Sequence, residues 1–257
     1  MTTSVATDLW FRRFRTADDD RPPRARLLCF PHAGGAASYF AGLSGRLRPD
    51  VDVVAVQYPG RQDRRGEPFA TDLATLADRI VEQLGDGPAP DGLPLALFGH
   101  SMGATVAYEV ARRLERDHER PVDRLVVSAR NAPSEHRSAG IHRLDDAGVV
   151  AELRRIGGTG GELLADPEML QLVLPAVRAD YTAAETYAWV PGPPLRAPID
   201  GLCGDRDPRV APEDLRGWAA HTAGGFTLRS VPGDHFYFGA DPAPVVSLVR
   251  ERLTARA

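Results

Sequence analysis

A serine near the middle of the chain has the surroundings of a catalytic nucleophile. Ser101 is the central residue of Gly-His-Ser-Met-Gly at 99–103, where an apolar run of strand length ends and a helical pattern begins. This strand–turn–helix context is what a G-x-S-x-G nucleophile elbow requires, because its sharp, strained turn exposes the hydroxyl above a sheet. We expect Gly99 and Gly103 to be necessary, because a Cβ at either position would collide with the neighbouring strand or helix.

A serine hydroxyl needs a base to become a nucleophile, and the chain contains seven histidines. We predict that His235 is the base, because it follows the last predicted strand and comes after the serine and the acid in chain order. We expect structural roles for His32 and His100, with the His100 ring pointing away from the nucleophile. We interpret the other four as solvated surface residues, namely His118, His136, His142 and His221.

An acid should orient the base through its second ring nitrogen, and it should lie at a strand end between the nucleophile and the base. Asp205 and Asp207 both qualify, because they follow the predicted strand at 199–203. We favour Asp207, since it lies further round the loop and Pro208 stiffens the turn behind it. Asp205 would then be a solvated turn residue or a hydrogen-bonding neighbour.

Two backbone N–H groups should bind the oxyanion that forms when a serine attacks a carbonyl. Met102 supplies one of them, because it follows the nucleophile at the start of a helix. The second should come from the loop of small residues at 31–38, whose backbone can approach a ligand closely. Its donor is Ala33 or Gly34, and we assign Ala33.

Alternating strand and helix patterns position these residues. Short apolar runs predict strands, and an apolar period near 3.6 predicts helices. Such alternation is typical of an α/β fold, with a mostly parallel twisted sheet and helices on both faces. The predicted strands cover 10–14, 25–30, 51–57, 95–98, 125–129, 199–203 and 226–231, and the predicted helices cover 73–84, 106–114 (continuing the helix after the elbow), 145–155, 166–187, 213–220 and 244–253.

The segment at 131–198 interrupts this alternation. It contains two helical stretches separated by the run Gly-Gly-Thr-Gly-Gly at 157–161. An insertion between strand units, over the carboxyl ends of the strands, is typical of a lid, and the glycine run predicts a hinge. We therefore predict a single domain at 1–257 with a helical lid over about 138–190.

Composition excludes several kinds of chemistry. All 31 basic residues are arginine, so no lysine can form a Schiff base, serve a Walker A motif or act as a general base. The net charge of −4 gives no attraction to nucleic acid or to an anionic membrane. Cys29 and Cys203 lie in apolar runs, where buried thiols are expected rather than a disulfide or a metal site. Since 1–16 has no signal peptide and no run is long enough for a membrane span, we expect a cytoplasmic protein.

Six motifs together resemble the type II (editing) thioesterases that accompany modular polyketide and nonribosomal peptide synthetases, which belong to the α/β-hydrolase superfamily. They occur in the expected order and cover almost the whole chain. The first, third and fourth motifs together are specific, whereas the elbow alone is not. The matching segments are L-C-F-P-H-A-G-G at 28–35, Y-P-G-R at 58–61, F-G-H-S-M-G-A at 98–104, L-P-A-V-R-A-D-Y at 174–181, G-D-R-D-P at 204–208 and G-D-H-F at 233–236.

The resemblance implies an α/β-hydrolase fold and hydrolysis of acyl groups from the phosphopantetheine thiol of acyl- or peptidyl-carrier proteins. It implies that Ser101 takes the acyl group, that a water activated by His235 releases it, and that the last aspartate of Gly-x-x-Asp, Asp207, is the acid. It implies no cofactor and no metal. We expect a monomer that binds carrier proteins and neither nucleic acid nor membranes.

Two positions bear on the type of thioesterase. Many integral, product-releasing thioesterase domains carry the acid at the strand after the elbow helix, but residues 126–131 contain no carboxylate. That absence supports the stand-alone editing type. Asp234 stands where relatives often have a second glycine, which adds a carboxylate near the predicted base.

The lid offers candidates for recognising an acyl chain and its carrier. Part of an apolar series could line an acyl channel, although some of it must pack on the core. Three arginines could meet the phosphate of phosphopantetheine or acidic carrier residues, although solvent exposure is the simpler interpretation for any one of them. The apolar series is Leu163, Leu164, Met169, Leu172, Val173, Leu174 and Val177, and the arginines are Arg154, Arg155 and Arg178.

Two other functions share these features. A carboxylesterase, lipase or peptidase would use the same triad, because a fold and a triad do not define the substrate. A non-catalytic binding protein with a hydrolase fold is the second alternative, and an intact serine, acid and histidine in order argue against it. Turnover of carrier-bound thioesters against simple esters separates the enzymes, and labelling of Ser101 by a fluorophosphonate tests the binding protein.

Overall fold

A seven-stranded sheet forms the centre of the part of the chain that the computed structural model describes, residues 9–14, 21–85, 92–157 and 166–254. Its strands are β1 Phe11–Arg13, β2 Ala25–Phe30, β3 Val51–Val56, β4 Leu95–His100, β5 Arg124–Ser128, β6 Ile199–Gly204 and β7 Phe226–Val231. The strand order is β1-β3-β2-β4-β5-β6-β7. Strand β1 is antiparallel to β3 at one edge, and the remaining neighbours are parallel.

Helices cover both faces of this sheet, which is why every residue of β2, β3, β4 and β6 is buried. Helices α2 and α3 contribute to the apolar core on one face, and α1 and α7 contribute to the core on the other. None of the helices in the described ranges is long and apolar enough to cross a membrane. The helices are α1 Ala41–Leu47, α2 Leu73–Leu84, α3 Met102–Asp117, α4 Asp146–Ile156, α5 Pro167–Glu185, α6 Tyr237–Ala240 and α7 Ala243–Val249.

The register of the parallel strands aligns their carboxyl ends. Phe30 of β2 pairs with Gly99 of β4, and His100 of β4 pairs with Ser128 of β5. Gly204, the last residue of β6, pairs with the last residue of β7. The loops that follow these strands therefore leave the sheet on the same side, at the carboxyl ends of the strands, where the predicted site residues lie.

Two elements near the carboxyl terminus differ from the predicted α-helices. Residues Pro212–His221 form a 3-10 helix, because its three-residue period places Leu215, Trp218 and His221 on one buried side. The last α-helix, α7, ends at Val249, and a π-helical turn follows it over Arg250–Thr254. A predicted period near 3.6 does not separate these variants from an α-helix.

Three histidines that we interpreted as solvated surface residues are buried or partly buried in the structure. His221 is only 2% exposed, and its ring nitrogens hydrogen-bond the Tyr108 hydroxyl at 3.0 Å and the Ser134 hydroxyl at 2.8 Å. Burial, with the charge of Arg112, lowers the pKa of His221 to about 4. His136 and His142 are partly buried against Glu185, so the solvated interpretation is correct only for His118.

Both cysteines are buried and free, Cys29 within β2 and Cys203 within β6. Burial raises the pKa of the Cys29 thiol well above its ordinary value, so the thiol stays protonated. The prediction of buried thiols is confirmed.

Helices α4 and α5 lie in the segment predicted as a lid and share an apolar cluster of their own. The cluster contains Ile141, Val149, Val150, Leu174, Val177 and Tyr181. Met169 and Leu172, of the predicted channel series, are exposed instead. Gly157 ends α4, whereas the rest of the glycine run at 158–161, together with Leu163 and Leu164, lies outside the described residues.

Candidate active site

The backbone at Ser101 has the strained conformation of a nucleophile elbow, with φ +54° and ψ −121°. A Cβ on Gly99 would overlap the carbonyl oxygen of Gly103, and a Cβ on Gly103 would overlap that of Phe30 at the end of β2. The Ser101 N–H donates to the carbonyl oxygen of Ser128 at 2.8 Å, which fixes the turn to β5. The expected collisions at the two glycines are confirmed, and they explain how α3 lies so close to the sheet.

The structure brings Ser101, His235 and Asp207 together in one hydrogen-bonded chain. The His235 Nδ1–H donates to Asp207 Oδ2 at 2.8 Å, since a carboxylate only accepts. That tautomer leaves Nε2 free to accept from the Ser101 hydroxyl at 3.0 Å. Ser101 is 8% exposed and His235 1%, so the chain of hydrogen bonds is shielded from bulk water.

The two candidate acids have different environments. The Asp207 side chain is fully buried, and its Oδ1 accepts from the backbone N–H groups of Arg209 and Val210 at 2.8 and 3.2 Å. Asp205 is partly exposed, and it accepts from the Gly233 N–H at 2.9 Å. Asp205 therefore stabilises the turn that carries the histidine, whereas Asp207 contacts the ring itself.

The backbone donors proposed for the oxyanion line one cavity with the nucleophile. Met102 and Ala33 both border this cavity beside Ser101. The Gly34 N–H, which the sequence left as an alternative, donates to Asp180 Oδ2 at 2.7 Å and is already occupied. Ala33 is therefore the better of the two candidates from this loop.

Asp180 and its partner Arg61 are site residues that the sequence reasoning missed. Asp180 lies on α5 and receives hydrogen bonds from Gly34 and from the Arg61 guanidinium. The signal was present in Y-P-G-R at 58–61 and in the R-A-D-Y of 174–181, which we used only as marks of a resemblance. Sequence alone does not indicate that these two segments meet.

His32 and His100 pack around the candidate base and remain neutral. The His100 ring is fully buried, lies 5.2 Å from the His235 ring between centroids, and hydrogen-bonds the Ser128 hydroxyl at 2.8 Å through Nδ1. Burial, with the nearby His235, lowers the pKa of His32 to about 3 and that of His100 well below its ordinary value. Both therefore have the structural surroundings that we expected.

The cavity in front of Ser101 has a volume of about 360 Å³ and a mixed lining. Helices α4 and α5 contribute Leu153, Ile156 and Tyr181 to it. The loops after β5 and β6 contribute the polar side chains of Arg130, Asn131, His136 and Arg209. Of the apolar series expected to form a channel, none of the described members lines this cavity, and Leu174 and Val177 belong to the apolar cluster between α4 and α5 instead.

The three lid arginines have different surroundings. Arg155 borders the cavity, but Glu152 binds its guanidinium through two hydrogen bonds, at 2.7 and 2.9 Å. Arg178 donates to Asp146 at 2.7 Å and to a backbone carbonyl at 2.8 Å. Arg154 is exposed on α4. Arg155 and Arg178 therefore each bind a carboxylate of α4.

Comparisons with known proteins identify the family and the fold of this chain. A family model described as Thioesterase domain matches residues 25–253. Thioesterase PikA5 of Streptomyces venezuelae is 47% identical over 234 residues, which are 91% of this chain and 82% of that protein. The type II thioesterase BorB, from the borrelidin biosynthetic cluster, has a solved structure with 43% identity and a TM-score of 0.86, covering 97% of this chain and 100% of its own. YbtT, a type II thioesterase from the yersiniabactin NRPS/PKS biosynthetic pathway, has 30% identity and a TM-score of 0.84, covering 95% and 98%. These superpositions confirm the predicted fold class.

Replacing Asp207 by Asn should reduce kcat for thioester hydrolysis far more than replacing Asp205 by Asn. Asp207→Asn removes the carboxylate that orients Nδ1–H and stabilises the imidazolium, which costs about 10⁴-fold in comparable triads. Asp205→Asn keeps an oxygen that can accept from Gly233, so we expect a loss below about tenfold. Kinetics with both variants, each checked for an unchanged unfolding temperature, measure the difference. Equal losses, or the reverse order, would show that the acid is wrongly assigned.

Proposed function

The chain belongs to the thioesterase domain family, and from that premise we propose that it hydrolyses acyl groups from the phosphopantetheine thiol of acyl- or peptidyl-carrier proteins. Its relatives include type II thioesterases from the borrelidin biosynthetic cluster and from the yersiniabactin NRPS/PKS biosynthetic pathway. In that role the enzyme would edit or unblock a polyketide or nonribosomal peptide synthetase. One observation carries the proposal: His235 bridges the Ser101 hydroxyl at 3.0 Å and the Asp207 carboxylate at 2.8 Å.

In the proposed acylation step, Ser101 Oγ attacks the thioester carbonyl carbon while His235 Nε2 takes the hydroxyl proton. Asp207 stabilises the imidazolium that forms and remains ionised itself. The tetrahedral oxyanion accepts hydrogen bonds from the N–H groups of Met102 and Ala33, each of which contributes on the order of 3 kcal/mol in such sites. The C–S bond then breaks, and the imidazolium gives its proton to the leaving thiolate.

In the proposed deacylation step, a water molecule takes the place of the thiol. His235 Nε2 removes a proton from this water as it attacks the acyl-serine carbonyl, and the same N–H groups stabilise the second oxyanion. Collapse returns the proton to Ser101 Oγ and releases the carboxylic acid. No step in this sequence requires a metal or a cofactor, and the phosphopantetheine belongs to the carrier.

The cavity supports a short acyl group with modest chain-length selectivity. Its volume of about 360 Å³ is shared between apolar side chains of α4 and α5 and polar side chains of the strand-end loops. Each methylene buried against the apolar side contributes about 0.8 kcal/mol, or about fourfold in kcat/KM. An editing enzyme needs that tolerance, since it must remove several kinds of stalled acyl group.

Carrier recognition is the part of the proposal that goes furthest beyond the triad. We propose acyl- and peptidyl-carrier domains as partners, a monomer as the active form and the cytoplasm as the location. Arg130, Arg137 and Arg209 border the cavity and would meet the phosphate of the carrier arm in this proposal, so salt is a useful probe, because screening weakens attraction between opposite charges.

The same acyl group should be hydrolysed most efficiently from a carrier protein. We expect kcat/KM to be clearly higher for the carrier-bound thioester than for the N-acetylcysteamine thioester or the p-nitrophenyl ester, and added salt should reduce that preference. The Ser101→Ala variant supplies the background rate for each substrate. Equal kcat/KM values for the carrier-bound and the small thioester would contradict carrier recognition. Faster turnover of long-chain esters would favour the lipase alternative.

We also propose that the segment at about 138–190 is a lid whose outer part moves. Residues 176–185 of α5 are tied to the rest of the protein, since Asp180 accepts from the Gly34 N–H and the Ala184 carbonyl oxygen accepts from Arg130. Pro175, which has no N–H to donate, lies inside the helix just before them. Residues 167–174 make neither of those two hydrogen bonds and carry the exposed Leu172, whereas α4 is linked to the loop after β6 by Arg155 with Pro208 and by Glu152 with Arg209.

Amide hydrogen exchange should therefore be faster in 167–174 than in 176–185, and a bound acyl-carrier protein should slow it there. The central strands serve as the internal reference, since they are buried throughout. Uniform exchange across both parts of α5 would contradict a moving outer part.

A further inference from the structure

A buried ion pair joins the lid helix to the loop that carries Ala33. The Asp180 carboxylate accepts from the Gly34 N–H at 2.7 Å and from the Arg61 guanidinium. Only 3% of the Asp180 side chain and 5% of the Arg61 side chain are exposed. Gly34 follows Ala33 directly, so the carboxylate holds the backbone one residue away from the proposed oxyanion donor.

Other hydrogen bonds hold the two ends of the same loop. The Tyr58 hydroxyl donates to the carbonyl oxygen of Pro31 at 3.2 Å. The Ala37 N–H donates to the side-chain oxygen of Gln57 at 2.8 Å. The ends of the loop therefore rest on the turn after β3, while Asp180, from the lid, holds its middle.

Helix α5 also packs directly on the backbone of this loop. Gly34 has φ +76°, and a Cβ there would lie 2.6 Å from Val177 Cγ2. A glycine at this position allows both the left-handed backbone and the close approach of the helix. Any shift of α5 is therefore transmitted to the loop through Val177 and Asp180.

Stability alone gives no reason for a charged pair at this place. Burying two opposite charges stabilises a fold little, because the lost hydration offsets their attraction, and apolar side chains of similar size often do as well. Burial raises the pKa of the Asp180 carboxyl above its ordinary value, despite the opposing effects of Arg61 and Gly34. What the carboxylate offers that an apolar side chain lacks is an acceptor for the Gly34 N–H.

We propose that Asp180 is a positioning residue of the thioesterase reaction, which holds the loop at Gly34 so that the Ala33 N–H is aimed at the oxyanion. Arg61 is its counter-ion, which keeps the carboxylate charged and oriented. The inference rests on the proposed function, because it assumes that Ala33 is an oxyanion donor. It makes the lid helix a part of the catalytic machinery, since the oxyanion site is complete only while residues 176–185 stay docked.

Two double variants separate the acceptor from the charge. Arg61→Met combined with Asp180→Asn keeps an oxygen that can accept from Gly34, whereas Arg61→Met combined with Asp180→Leu removes it. Neither leaves an unpaired buried charge, so we expect both to fold. The Asn variant should keep kcat within a few-fold of wild type, and the Leu variant should lose about tenfold to a hundredfold in kcat with little change in KM.

The inhibition constant of a transition-state analogue provides a second measurement, and it would not change if Asp180 had only a structural role. In an acyl trifluoromethyl ketone, the carbonyl carbon is attacked by Ser101 Oγ, and His235 takes the serine proton. The ketone oxygen becomes an alkoxide that lies in the oxyanion site. The inhibition constant of the ketone should weaken in the Leu variant by the same factor as kcat/KM and remain near wild type in the Asn variant. Equal kcat and equal inhibition constants in the two variants would overturn the proposal and leave Asp180 as a structural tie.

Controls keep this result distinct from a failure of the proposed function. Asp146→Asn removes the exposed lid pair with Arg178 without touching the loop, and it should keep the wild-type kcat. If the Leu variant unfolds, Asp180→Ala in the same Arg61→Met background carries the same expectation. Undiminished hydrolysis by Ser101→Ala would contradict the proposed function itself. Loss of activity in Ser101→Ala, together with equal kcat and equal inhibition constants in the two double variants, would overturn only the role of Asp180.

Discussion

The close approach of helix α3 to strands β2 and β4 decides where the reacting atoms lie. Gly99 and Gly103 have no Cβ, so the helix starts immediately above the end of β4. Ser101 is thereby held at a positive φ that serine rarely adopts, with its hydroxyl directed toward His235 and the Met102 N–H beside it. A side chain at either glycine would displace the helix, and the proposed nucleophile, Ser101, would move together with the Met102 N–H.

The remaining groups reach the serine from separate loops, each of which is held by its own contacts. Asp207 follows β6 and is fixed by two backbone N–H groups, and His235 follows β7 in a turn stabilised by Asp205. The loop after β2 is held at its ends by the turn after β3 and in its middle by Asp180 of α5. The sheet provides the common edge, whereas these buried polar contacts set positions at the scale of an ångström, on which catalytic geometry depends.

Local sequence patterns predicted most strands and helices. The parallel topology that they imply also predicted which residues meet at the site. The predicted bounds 25–30, 73–84 and 226–231 coincide with β2, α2 and β7, because each periodic segment ends at a polar or glycine-containing turn. The juxtaposition of the three triad residues follows from parallel strands that end at one edge. The burial of His221 and the pairing of Arg61 with Asp180 could not be predicted, since their partners lie 113 and 119 residues away and no local period records them. The same holds for the cavity lining, which depends on how α4 and α5 dock.

The most direct test of the account is to look for an acyl group on Ser101 during turnover. An acyl-carrier protein with an isotopically labelled acyl group is mixed with the enzyme, quenched in acid within milliseconds and analysed by intact-protein mass spectrometry and peptide mapping. The account predicts a transient gain of one acyl mass on the peptide that contains Ser101, with a lower amplitude in Asp207→Asn because acylation slows. Hydrolysis with no acylated enzyme at any time, or with the acyl group on another residue, would contradict the account.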